Sequence, residues 1–144
     1  MPIIVIIDDD ALGGSITKNQ IEDIFVGIEV RLLTDKDDIL GFQPTDENLL
    51  IVDQHLFDSF NHRSEKVDGF PTGTELAKKY AQGGFKGKII VYTGDEDKAE
   101  KENTKGDGFF ESFFRNKKTE TIEYAVKGSK SGFKQIIDKI EAIQ

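Results

Sequence analysis

The run Ile3-Ile4-Val5-Ile6-Ile7, followed at once by Asp8-Asp9-Asp10, decides the fold. All five apolar residues are β-branched, and none alternates with a polar one. A strand wetted on one side would alternate, so an unbroken run fits a strand covered on both faces, as in a parallel sheet. Similar runs recur along the chain. Leu49-Leu50-Ile51-Val52 ends at Asp53, Lys88-Ile89-Ile90-Val91-Tyr92 ends at Thr93, and a weaker run from Thr121 to Val126 ends at Lys127. Ile28 to Leu33 reads as one more short strand. Helical signals separate them: Ile16, Ile21, Ile24 and Phe25 at roughly helical spacing, then Leu76, Ala77 and Tyr80 closed by Gly83-Gly84, and last the stripe Phe133, Ile136, Ile137 and Ile140. Strand alternating with helix about five times predicts an α/β fold on a parallel sheet.

Length and composition bound the rest. The 144 residues predict one domain over 1–144, large enough to bury a core without disulfide or metal staples. With no cysteine, a disulfide framework, zinc-thiolate sites and thiol catalysis are excluded. Acids outnumber bases 27 to 19, a net charge of -8, which argues against direct nucleic-acid or anionic-membrane binding. Five apolar residues at the start are too few for a signal-peptide core, and no run approaches a membrane span. A soluble cytoplasmic protein is the default expectation. Two stretches break the alternation: residues 54 to 72, polar without clear period, and residues 95 to 108, charge-mixed and followed by Phe109-Phe110-Glu111-Ser112-Phe113-Phe114.

The carboxyl ends of parallel strands share one edge of a sheet, and ligands bind there at the topological switch point. Asp8, Asp9 and Asp10, Asp53, Thr93 and Lys127 are therefore expected to converge. Clustered carboxylates repel unless protonated or bridged by a cation. Hard oxygen ligands without His or Cys suit magnesium, which is commonly shared between carboxylates and phosphate oxygens. A carboxylate beside the metal can become an aspartyl phosphate, with a lysine and a hydroxyl holding the remaining phosphate oxygens. Phosphoryl transfer to aspartate is the chemistry that this set supports best. Taken alone, Asp8-Asp9-Asp10 reads as a solvated turn and Lys127 as a surface lysine; the ordered set carries the argument.

That set resembles the receiver domain of two-component response regulators. The matching pieces are Asp8-Asp9-Asp10 after strand one, Ile-Val-Asp53 at strand three, Tyr-Thr93-Gly94 at strand four, Tyr124-Ala-Val-Lys127 at strand five, and Gly73-Thr-Glu-Leu76-Ala77 at the start of the third helix. The resemblance covers essentially the whole chain. It implies a flavodoxin-like, doubly wound five-stranded parallel sheet in order 2-1-3-4-5. It implies Asp53 as phosphoacceptor and Mg2+ as cofactor, the latter held by Asp9 directly, by Asp8 through water, by Asp53 and by the backbone carbonyl of His55. Thr93 would bond a phosphate oxygen and Lys127 would neutralise the phosphoryl group. Thr93 and Tyr124 would form the switch, and His55 and Asp95 would tune dephosphorylation.

The chain also departs from the family. Phe57 stands where a proline is usual after the acceptor, and the matching glycines, Gly69 and Gly73, come late. Residues 57 to 70 read as an insertion beside the site, able to cover it or dock a partner. Lys127-Gly128 replaces the usual Lys-Pro. The interval from Thr93 to Lys127 is long, so the fourth helix, about 95–118, is expected to be expanded. His55 and His62 are expected as surface histidines. Phe109, Phe110, Phe113 and Phe114 read as core of that expanded helix, or else as an exposed docking patch. Gly83 to Lys88 reads as a turn, because it misses the Walker spacing and precedes a strand. Lys98, Lys101, Lys105, Lys117 and Lys118 alternate with acids as a solvated face.

The expectation is a stand-alone phosphoreceiver rather than an enzyme acting on a diffusible substrate. Its partners would be a histidine kinase or phosphotransfer protein upstream and a downstream protein or second copy as output. A pseudo-receiver that binds partners without phosphorylation is the first rival. An aspartate-based magnesium phosphohydrolase is the second, disfavoured because Asp8-x-Asp10 is followed by Ala11 and Leu12 rather than threonine.

Overall fold

A computed structural model describes residues 2–58, 65–94 and 122–144. Five parallel strands form one sheet: β1 (Ile3–Ile7), β2 (Glu29–Leu33), β3 (Leu49–Asp53), β4 (Lys88–Thr93) and β5 (Ile122–Val126), in the spatial order 2-1-3-4-5. The order and the direction agree with the sequence. Every residue of β3 is buried, as is every residue of β4 after Lys88. This is what unalternating β-branched runs require.

Four helices among the described residues cover the two faces: α1 (Ala11–Ile24), α2 (Lys36–Gly41), α3 (Gly73–Gln82) and α4 (Lys130–Ile143). Ile21 of α1 and Ile136 and Ile140 of α4 join Ile4, Ile6, Ile51 and Ile90 in one core. Ile39 of α2 and Leu76, Ala77 and Tyr80 of α3 join Val5, Ile7, Leu50, Val52 and Val91 in the other. Alternate strand residues thus feed opposite cores, each fully buried Ile or Leu worth about 1.5–3 kcal/mol over an exposed one.

Each helix start is set by a side chain acting as cap. Asp10 accepts from Leu12 N–H, Asp35 from the N–H groups of Asp37 and Asp38, and Ser129 from Gly132 N–H. Thr72 and Glu75 form a reciprocal capping box on α3. The helix α2 has no counterpart in the sequence reading. It spans six residues and buries only Ile39, so no period of 3.6 is visible. The described residues between 54 and 72 are less polar in effect than they read. Leu56 and Phe57 are buried, and Val67 and Phe70 pack against the same core, with the Phe57 and Phe70 rings 4.7 Å apart. The expanded helix at 95–118, the Phe109–Phe114 cluster, the lysines from Lys98 to Lys118, His62 and Asp95 lie outside the described residues.

Gly73 opens α3 directly against the end of β3. A Cβ there would stand 2.3 Å from the Asp53 carbonyl oxygen and 2.9 Å from Gln54 Cα, both backbone atoms that cannot swing away. Gly41 ends α2 with open space around it. Gly73→Ala is therefore expected to lower stability by about 1–3 kcal/mol, as overpacking does, while Gly41→Ala stays within about 1 kcal/mol of the parent. Urea unfolding midpoints of the two variants check this; equal midpoints would show that α3 slides freely off β3.

Candidate functional site

The register brings the acids together. Ile7 pairs with Val52, so Asp8, one residue on, stands beside Asp53. Asp8, Asp9 and Asp53 each offer a carboxylate oxygen within 4.8 Å of the others, and all three are buried, at 3%, 7% and 8% exposure. Thr93, at the end of β4, is fully buried, and Val126 pairs with it across β5. Lys127 follows Val126. Its Nζ reaches across the end of β4, over the Tyr92 ring, to 3.0 Å from Asp8 Oδ2 and 3.3 Å from Asp53 Oδ1.

Each acid is held by a donor. Asp8 Oδ1 accepts Asp10 N–H at 2.9 Å, and Asp9 Oδ2 accepts Phe57 N–H at 2.8 Å. Asp10 does not join the cluster. It stands at the start of α1 as its cap, which corrects the expectation that all three consecutive aspartates crowd one pocket.

Burial pushes the Asp53 carboxyl up to about 7, against the pull of Lys127 and with the repulsion of Asp8 and Asp9. Asp8 is raised for the same first reason, burial, with Lys127 and the Asp10 N–H opposing. At Lys127 burial works against the charge, but Asp53 and Asp8 outweigh it and hold its pKa above the usual lysine value. Three carboxylates against one ammonium leave two negative charges when all are ionised. A hard divalent cation fits that deficit and that all-oxygen donor set.

The two positions where family resemblance leads one to expect proline share a backbone feature. Phe57 has φ 54° and Gly128 has φ 85°. Proline is locked near φ -65° and can take neither value. No cis peptide bond occurs among the described residues. Lys127 is placed instead by its own N–H, which donates to the Thr93 carbonyl at 2.6 Å.

Tyr124 is buried on β5, and its hydroxyl lies 2.8 Å from Thr74 Oγ1. Thr74 in turn donates from Oγ1, at 2.7 Å, and from its N–H, at 2.9 Å, to Gln54 Oε1. Gln54 directly follows Asp53, so a hydrogen-bonded chain runs from the residue next to the candidate acceptor to Tyr124. The sequence reading missed Gln54 and Thr74; the only signal was a buried amide beside Asp53, and burial is not written in the sequence. His55, expected at the surface, is half-buried, with Nδ1 2.9 Å from Asp58 Oδ2.

No family model matches the sequence, and no curated protein matches it. Solved structures do. Response regulator protein TrrA from Thermotoga maritima, in complex with Mg2+-BeF, is 17% identical and aligns over 100% of both chains with a TM-score of 0.64. The non-phosphorylated HemR receiver domain from Leptospira biflexa is 17% identical, over 99% of this chain and 94% of that one, with a TM-score of 0.61. A CheY-like response regulator receiver domain protein from Methanospirillum hungatei is 20% identical, over 99% and 92%, with a TM-score of 0.59. The chain thus has the fold of response-regulator receiver domains.

Two outcomes follow from this geometry. The folded metal-free protein keeps a proton on Asp53 up to about pH 7, whereas the unfolded chain releases it near the ordinary value of 3.8. A raised carboxyl pKa favours the folded state below that ordinary value, and this advantage is lost as pH rises through about 7. Stability of the wild type relative to Asp53→Asn should therefore fall between pH 5 and pH 8 in EDTA; parallel urea midpoints across that range would refute the shift. The second outcome concerns the hydrogen-bonded chain. A double-mutant cycle of Thr74→Val and Tyr124→Phe should return a coupling of about 0.5–1.5 kcal/mol, the net worth of one hydrogen bond, and a coupling near zero would mean that the two hydroxyls do not hold each other.

Proposed function

We propose that this chain is a phosphoreceiver in which Asp53 accepts a phosphoryl group. The convergence of Asp8, Asp9, Asp53 and Lys127 at the carboxyl edge of the sheet is the observation that supports this most. Asp8, Asp9, Asp53 and the His55 carbonyl would hold Mg2+, which when bound supplies positive charge to the oxygens of the transferring group. The donor is a phosphohistidine on a histidine kinase or phosphotransfer protein, or a small acyl phosphate.

In the transfer, a carboxylate oxygen of Asp53 attacks phosphorus. The bond from phosphorus to the donor nitrogen or oxygen breaks, and the donor leaves with the electron pair. Lys127 shifts its ammonium from the Asp53 carboxylate to the phosphoryl oxygens, and the Thr93 hydroxyl donates to another of them. Drawing Thr93 inward opens space toward Tyr124, whose hydroxyl is already anchored to Thr74. The modified state is read by a downstream protein or by a second copy of the chain. Water later attacks phosphorus, the bond from phosphorus to Asp53 breaks, and inorganic phosphate leaves; His55 and Asp95 would tune this step. The role is that of a signalling domain, without turnover of a diffusible substrate, and the reading carries a cytoplasmic location.

Incubation with Mg2+ and either acetyl phosphate or beryllofluoride tests this. The expected result is a phosphoryl adduct by intact-mass spectrometry and saturable beryllofluoride binding, both lost on adding EDTA and in Asp53→Asn. Lys127→Ala should bind beryllofluoride at least about tenfold more weakly, because a charge-assisted contact is worth roughly 1.5–3 kcal/mol. Absence of both responses in the wild type would assign the chain to partner binding without phosphorylation. Sustained hydrolysis of a diffusible phosphoester would make it an enzyme.

A further inference from the structure

We propose that the cleft between α1 and α4 binds a small organic anion with an apolar body: an aromatic or aliphatic carboxylate, sulfonate or phosphate ester. The cleft encloses about 520 Å³. That lies within the roughly 300–1,000 Å³ typical of small-molecule sites. It lies on the face of the sheet opposite α2 and α3.

Its walls are apolar. Ile16 on α1 is half exposed at 51%, Phe133 and Ile137 on α4 are partly buried, and the buried Tyr92 also lines the cleft. An apolar ligand body would remove Ile16, Phe133 and Ile137 from water at once. Its charged groups are of one sign. Lys127, Lys130 and Lys134 line the cleft, and no carboxylate does among the described lining residues, in a chain where acids outnumber bases 27 to 19.

The three lysines are not equivalent. Lys127 is engaged by Asp8 and Asp53, and Lys134 by the solvent-exposed Asp138 at 3.1 Å. Lys130 makes no ion pair among the described residues. It occupies the first position of the 14-residue α4, where backbone N–H groups and the helix dipole add to its charge. An anionic head therefore belongs at the Lys130 end and the apolar body along Ile16, Phe133 and Ile137. The cleft is also next door to the acid cluster, because Thr17, Tyr92 and Lys127 line both it and the crevice at Asp8 and Asp53. The proposal stands whether or not Asp53 is phosphorylated.

Titration of the full chain with 8-anilinonaphthalene-1-sulfonate, followed by fluorescence and calorimetry, tests it. N-phenyl-1-naphthylamine, the same rings without the anion, is the comparison probe. The sulfonate should bind saturably at one site per chain, and the neutral probe at least about tenfold more weakly. Lys130→Glu should weaken the sulfonate at least about tenfold and leave the neutral probe nearly unchanged. Ile16→Glu, at an exposed position that the core does not need, should weaken both probes; Leu40→Ala, exposed on α2 across the sheet, should change neither. Circular dichroism confirms that each variant is folded. Equal binding of the two probes, or insensitivity to Lys130→Glu and Ile16→Glu, would overturn the proposal. So would Ile16-dependent self-association that excludes the probe, or Ile16-dependent binding to phosphatidylglycerol vesicles in its place, since these assign the cleft to a second copy or to a lipid surface.

Discussion

Three buried carboxylates share one edge of the sheet, and the rest of the structure answers to their charge. Burying an ionised group without a partner is costly, and burying several together adds repulsion. The parallel register makes their proximity unavoidable, because β1 and β3 are neighbours and both end in aspartate at the same level. What holds the cluster is a set of donors from three different connections. Asp10 N–H comes from the turn into α1, Phe57 N–H from the segment after β3, and Lys127 Nζ from the turn into α4. The acids therefore tie three loops together. A change in the charge of the cluster, through a proton, a cation or a phosphoryl group, is felt in all three.

The segment after β3 passes that change outward. Gly73 seats α3 on the Asp53 carbonyl, with its N–H 3.0 Å from the Gln54 carbonyl oxygen. The Gln54 amide then holds Thr74 in the first turn of the same helix, and Thr74 meets Tyr124 on β5. Backbone and side chain of Gln54 thus join the Thr72–Glu75 capping box in fixing the start of α3. The far end of the chain of contacts is three residues from Lys127, which returns to Asp53. The circuit is closed, so a displacement at Asp53 cannot be absorbed in α3 without also moving the environment of Tyr124.

The parts that were legible in the sequence are those governed by composition along the chain. Ile3–Ile7, Leu49–Val52 and Ile89–Tyr92 are uninterrupted apolar runs, and only a strand covered on both faces tolerates such a run. The residue that ends each run is then placed by topology alone, which is why Asp8, Asp53 and Thr93 could be named together, with Lys127 joining them after the weaker run on β5. What was not legible depends on contacts between side chain and backbone. Asp8, Asp9 and Asp10 are chemically identical, yet two face the cluster and the third caps α1. Helix α2 rests on the Asp35 cap and one buried residue, Ile39, too little to show a period. Leu56, Phe57, Val67 and Phe70 are too irregularly spaced to show that they join a core.

The two positions where the resemblance to receiver domains leads one to expect proline share a backbone constraint. Phe57 sits in the left-handed backbone region, which is unfavourable for a bulky side chain and persists only where its surroundings hold it. Two things hold it here: the packing of its ring on Phe70, and the donation of its N–H to Asp9. A proline at 57 would lack the N–H and require the opposite sign of φ, so it would remove this donation to Asp9. Gly128 turns the chain at φ 85°, a value that glycine adopts at little cost, and so lets Lys127 point back over β4. At Phe57 a ring constraint is thereby exchanged for a hydrogen bond to a carboxylate. A turn held by its bond to a carboxylate responds to the state of that carboxylate, whereas a turn held by a proline ring does not. The replacement at Phe57 therefore couples the loop after β3 directly to the charge that the site carries.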